Sequence, residues 1–268
     1  MRGFAYLPTG LLVKLIKTLL LAFAVFSSAG AFAEKITVAA AADLKFAMDE
    51  ISAAFKKAKP ADEIEVIYGS SGKFHTQVRQ GAPYDLFFSA DIEYPRELAK
   101  VGLAASPVVP YAVGRLVLWS SALDASKLTL ESLAEAKFKR IAIANPRHAP
   151  YGKRAEEALR ATGLWEKVEP KLVYGENIAH TAQFVQTGNA EVGILALSLA
   201  VSPELSARGG YYLIPEKLHQ PLEQGFIVTK RAEGNALAKR FADHMGSSEV
   251  RAIMKRFGFV LPGERLDK

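Results

Sequence analysis

The sequence of 268 residues contains no cysteine, no apolar run long enough for a membrane span and no block of like charges. The missing cysteine excludes a disulfide framework, a lipid-modified cysteine and a cysteine nucleophile. None of the five histidines has the H-x-x-x-H or H-E-x-x-H spacing of zinc-binding helices, so metal ligation has little support. These absences favour a binding module over a metalloenzyme or a thiol enzyme.

The first 33 residues have the pattern of a secretory signal peptide. Three basic residues precede the apolar run from Leu19 to Phe26, and the segment closes on the small-x-small exit Ala31-Phe32-Ala33. The apolar run is well short of the roughly 20 residues that a membrane-spanning helix needs. We therefore expect cleavage after Ala33 and a soluble chain, residues 34–268, in the periplasm.

The charge of the chain argues against nucleic acid as a partner. The first 33 residues supply three of the six net positive charges, which leaves +3 for the remainder. Basic residues are neither clustered nor interleaved with aromatic residues, as they are in nucleic-acid binders. We expect a mildly basic surface and no nucleic-acid partner.

Short β-branched runs alternate with helical stretches from residue 34 onward, a pattern typical of mostly parallel sheets flanked by helices. No Pro/Gly/Ser-rich linker divides the chain, so we expect it to cross between two α/β lobes on strands, near Gly114 and near Gln224-Gly225. The predicted organisation is a signal peptide at residues 1–33, lobe I at 34–113 plus 225–268, and lobe II at 114–224.

Four predicted strand-to-helix junctions carry small or polar residues that suit an anion site. A helix N-terminus offers unpaired N–H groups and about half a positive charge, so several such ends at one cleft can hold a small oxyanion without a cationic side chain. A serine at a junction can equally well cap its helix, but capping does not require the glycines at two of the junctions. The four junctions are Ala42-Asp43, Ser70-Ser71-Gly72, Pro150-Tyr151-Gly152 and Asn177-Ile178.

Two other interpretations of these junctions have weaker support. The stretch GSSGK is not a nucleotide-phosphate loop, because Ile67 stands where that motif needs glycine and Phe74 where it needs serine or threonine. Ser71 and His180 can form a nucleophile–base pair only if the fold brings them together, and nothing local indicates that it does. His148 also lies in a junction loop, where a polar, solvent-facing role is the simpler expectation.

Several segments resemble the periplasmic molybdate-binding protein family, the capture component of molybdate importers. They are ITVAAAADL, GSSGK, GAPYDLFFSAD, NPRHAPYGKRAEEAL, GENI and KRFGF, and the resemblance extends over nearly all of the expected mature chain. It implies the two-lobed type II periplasmic binding fold, which closes on its ligand by a hinge motion. It further implies a monomer that is not an enzyme, has no cofactor, and delivers molybdate or tungstate to the membrane permease of an ABC importer.

The resemblance also implies which residues hold the ligand. The family binds the oxyanion through neutral donors, without direct ligation of the metal. These correspond here to the hydroxyl and N–H of Ser71, the backbone N–H groups of Tyr151 and Ile178, and a first-loop donor at Asp43. Four more residues are possible members of the cleft: Ser70, Lys73, Lys153 and Ala196.

Two positions depart from the family pattern. Asp43 stands where the family commonly has serine, and Ala196 stands where it commonly has tyrosine. A carboxylate donates no hydrogen bond unless it is protonated, and its charge repels an oxyanion. We expect Asp43 mainly to cap the helix that begins near Leu44, with Lys73 or Lys153 as neutralising partners. Ser198 lies on the strand face of the missing tyrosine but has a shorter reach.

The departures leave two alternatives open. The same fold can bind a different oxyanion or a small organic acid, because a changed donor set changes the ligand that fits. An enzyme on this scaffold is the second alternative, with Asp43, Lys73 and His180 as acid–base groups.

Overall fold

Ten strands form two five-stranded sheets in the part of the chain that the computed structural model describes, residues 34–58 and 60–264. They are β1 (Lys35–Ala41), β2 (Glu63–Gly69), β3 (Leu86–Ser89), β4 (Val109–Gly114), β5 (Leu116–Trp119), β6 (Ile141–Ala144), β7 (Leu172–Gly175), β8 (Val192–Ala196), β9 (Tyr211–Leu213) and β10 (Leu222–Val228). The expected signal peptide, residues 1–33, lies outside the described residues.

The two sheets have the same design. The first has the strand order β2-β1-β3-β10-β4 and the second β7-β6-β8-β5-β9. In each sheet three neighbouring strands pair in parallel, and the strands that lead to and from the other sheet pair antiparallel. The sheets are therefore mixed, with their parallel strands joined through helices as the alternating sequence predicts.

Ten α-helices lie in the described residues and flank the sheets. They are α1 (Lys45–Ala58), α2 (Ser71–Arg79), α3 (Glu93–Lys100), α4 (Pro150–Ala161), α5 (Trp165–Val168), α6 (Ile178–Gln186), α7 (Leu197–Ala200), α8 (Pro203–Ser206), α9 (Ala236–His244) and α10 (Ser248–Arg256). In α1 the residues Met48, Ile51 and Phe55 are buried because they recur on one helical face. None of the described helices combines the length and apolarity that crossing a membrane requires.

The strand β4 forms although it contains Pro110. Proline lacks the amide hydrogen that a central strand donates to its neighbour, so a proline argues against a strand. In the structure β4 is the edge of the first sheet, where it pairs with β10 and makes one isolated bridge, between Val113 and Val260. Proline is tolerated at such an edge, and the strand forms.

Each sheet has its own apolar core, which produces two lobes. Met48, Phe88 and Phe241 belong to the core of the first sheet, whereas Trp119 and Phe138 belong to that of the second. The predicted two-lobed α/β fold is confirmed. The lobe boundaries at residues 113/114 and 224/225 stay a prediction. The strand β10 pairs with β4 from its first residue, Leu222, so all of β10 belongs to the first sheet.

Candidate functional site

A small cavity of about 10 Å³ lies between the lobes, where four strand-to-helix junctions meet. Two of these junctions follow β1 and β2 of the first sheet, and two follow β6 and β7 of the second. The cavity wall includes Asp43, Ser71, Tyr151, Ile178 and Ser70. The structure therefore brings together all four predicted anion-binding residues and one of the additional cleft residues, and their binding of an anion stays a prediction.

Ser71 is the first residue of α2 and is almost completely buried in this wall. Its hydroxyl oxygen accepts a hydrogen bond of 2.9 Å from the backbone N–H of Ala90. Among the described residues its hydroxyl hydrogen has no acceptor, so this hydrogen remains available to a ligand. The serine capping weighed above is not observed: neither Ser70 nor Ser71 makes a side-chain capping bond at the start of α2.

The second lobe contributes backbone donors from two helix starts. Tyr151 is the second residue of α4, which starts at Pro150, and Ile178 is the first residue of α6. The amides of a first helical turn have no acceptor within their own helix. Both residues are buried and line the cavity, and the role of their N–H groups as neutral donors stays a prediction.

Asp43 makes a contact that crosses between the lobes. One carboxylate oxygen, Oδ2, accepts hydrogen bonds from the Tyr151 hydroxyl at 3.0 Å and from Nε2 of Gln224 at 2.7 Å. The other oxygen, Oδ1, is buried and has no hydrogen-bond partner among the described residues. Asp43 lies inside a short 3₁₀ turn whose N-cap is Ala41, without a side-chain capping bond. The expected capping role is therefore wrong, and the side chain points to the lobe interface instead.

The environment of Asp43 shifts its protonation. Burial raises the pKa of Asp43 to about 6, although the hydrogen bonds from Gln224 and Tyr151 and the nearby backbone N–H groups of Asp43 and Leu44 oppose the shift. Burial also raises the pKa of the Tyr151 hydroxyl well above its usual value, and the charge of Asp43 adds to that effect. Tyr151 therefore remains a protonated donor, while Asp43 titrates near neutral pH.

The two lysines do not neutralise Asp43, which corrects the expectation from sequence. Lys73 forms an ion pair with Glu176 of the second lobe, and both side chains are about half exposed. Lys153 is exposed on α4, and neither lysine lines the cavity. The described residues thus place no cationic side chain in the cavity wall.

Ala196 is the last residue of β8 and Ser198 lies two residues later in α7, but their contacts differ. Ala196 is fully buried, pairs with Leu116 of the neighbouring strand and does not line the cavity. Ser198 donates a hydrogen bond of 2.7 Å to the backbone carbonyl of Asp43 in the other lobe. Ser198 therefore joins the lobes and does not replace the missing tyrosine as a cavity donor.

His148 joins the lobes at the rim of the cavity. Its carbonyl accepts the N–H of Gly72 at 2.9 Å, and its Nδ1 lies 3.0 Å from the Ser70 hydroxyl. Burial lowers the pKa of His148, and the nearby charge of Lys73 lowers it further. His180 instead accepts the N–H of Glu176 at its Nδ1. Ser71 and His180 thus have separate partners, which removes support for a nucleophile–base pair.

Gln224 is a member of the site that the sequence analysis missed. It is fully buried on β10, at the point where the pairing of β10 with β4 shifts register. The sequence gives no distinct signal for it, because Gln224 follows the charged Glu223 in the strand LEQGFIV and neither residue indicates a partner. Within the described residues no three histidine or acidic side chains form a group that could hold a metal ion.

Comparisons with known proteins agree on one class of protein. The chain matches the family described as "Bacterial extracellular solute-binding protein" over residues 36–260. It is 34% identical over 232 residues to the "Molybdate-binding protein ModA" of Rhodobacter capsulatus, covering 86% of this chain and 90% of that protein. A protein of the same name from Azotobacter vinelandii is 34% identical over 233 residues, covering 85% and 91%.

Solved structures show the same likeness. The periplasmic molybdate-binding protein of Azotobacter vinelandii superposes with a TM-score of 0.78 at 30% identity, covering 85% of this chain and 99% of that one. The sulfate-binding protein SubI from Mycobacterium tuberculosis superposes with a TM-score of 0.67 at 14% identity, covering 86% and 88%. The second similarity concerns the fold alone.

Proposed function

The chain belongs to the family of bacterial extracellular solute-binding proteins, which are binding proteins and not enzymes, and we propose on that premise that it captures molybdate between its lobes. We propose the same site for tungstate, because the two dianions share their charge and nearly their size. The observation that carries the proposal is the convergence of Ser71, Tyr151 and Ile178 on one interlobe cavity. The names of the relatives supply the ligand class.

The proposed site holds the anion through neutral donors. The Ser71 hydroxyl and the first-turn amides of α2, α4 and α6 direct partial positive charge toward the cavity. Such donors replace the hydration of a dianion without a buried cation. Tetrahedral ions of different size are separated by the spacing of the donors, so we expect the smaller sulfate ion to bind more weakly.

The cavity size indicates that the lobes move during binding. At about 10 Å³ it is near the lower limit for a single water molecule, which is less than a four-oxygen ion needs. We propose that the lobes separate about the crossings at Gly114 and before Leu222 to admit the ion, and then close on it. The closed surface is the one that we expect the permease to recognise.

We propose that the protein works in the periplasm as a monomer and delivers its ion to the membrane permease of an ABC importer. The family membership and the signal peptide expected from the sequence support this location. The GSSGK segment does not have the residues of a nucleotide-phosphate loop, and we propose that separate subunits of the importer supply the energy for transport.

A different oxyanion is the second candidate ligand, and Asp43 favours it. The unpartnered Oδ1 of Asp43 can accept a hydrogen bond from a ligand that carries its own hydrogen, such as hydrogen phosphate or a phosphonate. A ligand of that kind would donate a hydrogen bond to the Asp43 carboxylate. Molybdate has no hydrogen to donate, so Asp43 can only donate a hydrogen bond to it or make no hydrogen bond with it.

Calorimetric titration of the protein purified from the periplasm tests the proposal. Molybdate and tungstate are expected to bind with a stoichiometry of one ion per chain, and sulfate and phosphate more weakly. Elemental analysis after growth with trace metals is expected to find molybdenum or tungsten in the same ratio. Tighter binding of phosphate than of molybdate would support the second candidate, and no heat with molybdate would refute the first.

A further inference from the structure

Asp43 presents a buried negative charge to the cavity proposed for a dianion. The side chain is 1% exposed, and its Oδ2 is already paired with Tyr151 and Gln224. Its Oδ1 is buried and has no partner among the described residues. A buried carboxylate oxygen without a hydrogen-bond donor is unfavourable, so this atom requires an explanation.

The side chains that face Asp43 carry no positive charge. Gln224 of β10 and Tyr151 of α4 donate to its carboxylate, and Ser198 of α7 donates to its carbonyl. Tyr111 of β4 is buried close enough for the charge of Asp43 to raise the pKa of its hydroxyl. All four are neutral at physiological pH.

The remaining titratable groups on the packed elements lie elsewhere. Lys45, Tyr68 and His180 line a neighbouring groove together with Ala42. Lys45 is paired there with Asp49. Among residues 34–58 and 60–264 no fixed cation therefore balances the charge of Asp43, and a dianion in the cavity would be repelled strongly at low local dielectric.

A proton resolves both difficulties. Asp43 belongs to the cavity wall, and when protonated at Oδ1 its side chain is uncharged and becomes a hydroxyl donor. It would then add a hydroxyl donor at the first junction of the cavity wall. We propose that Asp43 takes up one proton from solvent with each molybdate ion and donates the Oδ1–H hydrogen bond to an oxygen of that ion.

The inference rests on the proposed function and describes the same site. No covalent bond is made or broken: solvent supplies the proton on binding, and the proton returns to solvent on release. The pKa of Asp43, raised by burial to about 6, supports this step because the free protein needs only a modest further shift. The consequence is that affinity depends on pH through this residue.

The expected pH dependence has a definite sign. Below about pH 6 the free protein already holds the proton, so the Kd should be nearly constant. Above that pH each binding event consumes one proton, and the Kd should rise about tenfold per pH unit. This slope is the signature of one proton, whereas a structural role for Asp43 would give no slope.

Calorimetry of the full protein with sodium molybdate, from pH 5.5 to 8.5 in two buffers of different ionisation enthalpy, measures the number of protons directly. We expect proton uptake to approach one per ion at pH 8. Binding of molybdate at pH 8 without proton uptake would overturn this inference and leave the proposed function standing. An absence of molybdate binding at every pH would refute the proposed function, and this inference with it.

Variants assign the proton to one residue. Asp43→Ser should bind molybdate without proton uptake and with a flat pH profile. The control, Asp243→Ser, removes an exposed carboxylate that pairs with Lys239 on α9, and should keep the uptake of the unmodified protein. Uptake that persists in Asp43→Ser would overturn the assignment.

A second variant decides the question if Asp43→Ser does not fold. Gln224→Leu removes a hydrogen bond that stabilises the charged carboxylate, which should raise the pKa of Asp43. The onset of the pH dependence should then move to a higher pH, while the tenfold slope above it remains. An onset that stays at the same pH in Gln224→Leu would contradict the proposal.

Discussion

The backbone of Gly114 lies directly against the hydroxyl oxygen of Tyr151, so that a Cβ atom at residue 114 would overlap that oxygen. The same Cβ would come within 2.6 Å of Nε2 of Gln224. Gly114 is the last residue of β4, where the chain leaves the first sheet, and both neighbouring groups donate to Asp43. The bare backbone at this crossing is therefore what allows the three polar side chains to meet.

Substitution of this glycine should weaken the protein. Gly114→Ala forces Tyr151 or Gln224 away from Asp43, so we expect the free energy of unfolding to fall by about 1–3 kcal/mol. Urea denaturation measures this change in the free energy of unfolding. The control is Gly246→Ala, where the added Cβ would have only an ordinary contact of 3.5 Å with the Asp243 carbonyl. Equal losses in the two variants would contradict the packing argument.

The alternation of strands and helices and the four junctions were predictable because their signals are local. The helices α2 and α4 start at Ser71 and Pro150, within the predicted junctions, since serine, glycine and proline are poor helix formers but are accepted in a first turn. That turn places the donors in the cavity wall and does not leave them in a preceding loop. The sequence thus located the junctions correctly, but it did not show that their residues already belong to the first turns of the helices.

The partners of Asp43 could not be predicted from the sequence. Tyr151 and Gln224 are 108 and 181 residues away along the chain. The hypothesis that Lys73 neutralises Asp43 relied on proximity in sequence, but Lys73 pairs with Glu176, which is 103 residues away. A pairwise contact across two lobes depends on how they dock, and no local pattern in the sequence encodes that docking.

Ser71→Ala tests the hydroxyl donor. The variant loses the proposed hydrogen bond to the anion, so we expect its binding free energy for molybdate to weaken by about 1 kcal/mol or more, which is a rise in Kd of roughly fivefold or more. It also leaves the Ala90 N–H unpaired, which should lower stability. The control is Ser52→Ala, since the buried Ser52 hydroxyl has no partner among the described residues and lies on α1 away from the cavity. Unchanged affinity in Ser71→Ala would exclude Ser71 as a ligand-binding residue.

The ion pair of Lys73 and Glu176 should have only a small effect on binding. A half-exposed pair contributes about 0–1 kcal/mol and is screened by salt. We therefore expect Lys73→Met to weaken molybdate binding by at most about fivefold at low salt, with the difference disappearing in high salt. Lys153→Met is the matched control and should have no effect. A loss of several orders of magnitude would instead indicate that Lys73 contacts the anion.

Asp43 should also make the stability of the unliganded protein depend on pH. Its pKa is higher in the folded protein, about 6, than the ordinary 3.8. Its stabilising contribution is therefore complete below pH 3.8 and is lost as the pH rises through 6. Relative to Asp43→Asn, which cannot titrate, the wild-type protein should lose up to about 3 kcal/mol of unfolding free energy between pH 4 and 8. Urea titrations of both proteins at several pH values measure this difference. If the free energy of unfolding changed with pH by the same amount in both proteins, the prediction would be wrong.

Ile178→Pro isolates a single backbone donor. Ile178 is the first residue of α6, a position where proline is well tolerated, and the preceding Asn177 is extended with φ −149° and ψ 178°, as a residue before proline prefers. The helix should therefore persist while its first N–H is removed. We expect molybdate affinity to fall by about 1–3 kcal/mol, the effect of leaving one charged acceptor without its donor.

Ile178→Ala separates this effect from the loss of side-chain packing. The Ile178 side chain is buried, so both variants should unfold more easily, but only the proline variant lacks the amide. Circular dichroism establishes that each variant is folded, and calorimetry then compares their Kd values for molybdate. If alanine weakens binding as much as proline does, the side chain positions the site and the amide does not bind the anion. If alanine leaves affinity nearly unchanged while proline weakens it, the loss follows from replacing the backbone N–H at the start of α6, which supports this amide as a donor to the anion.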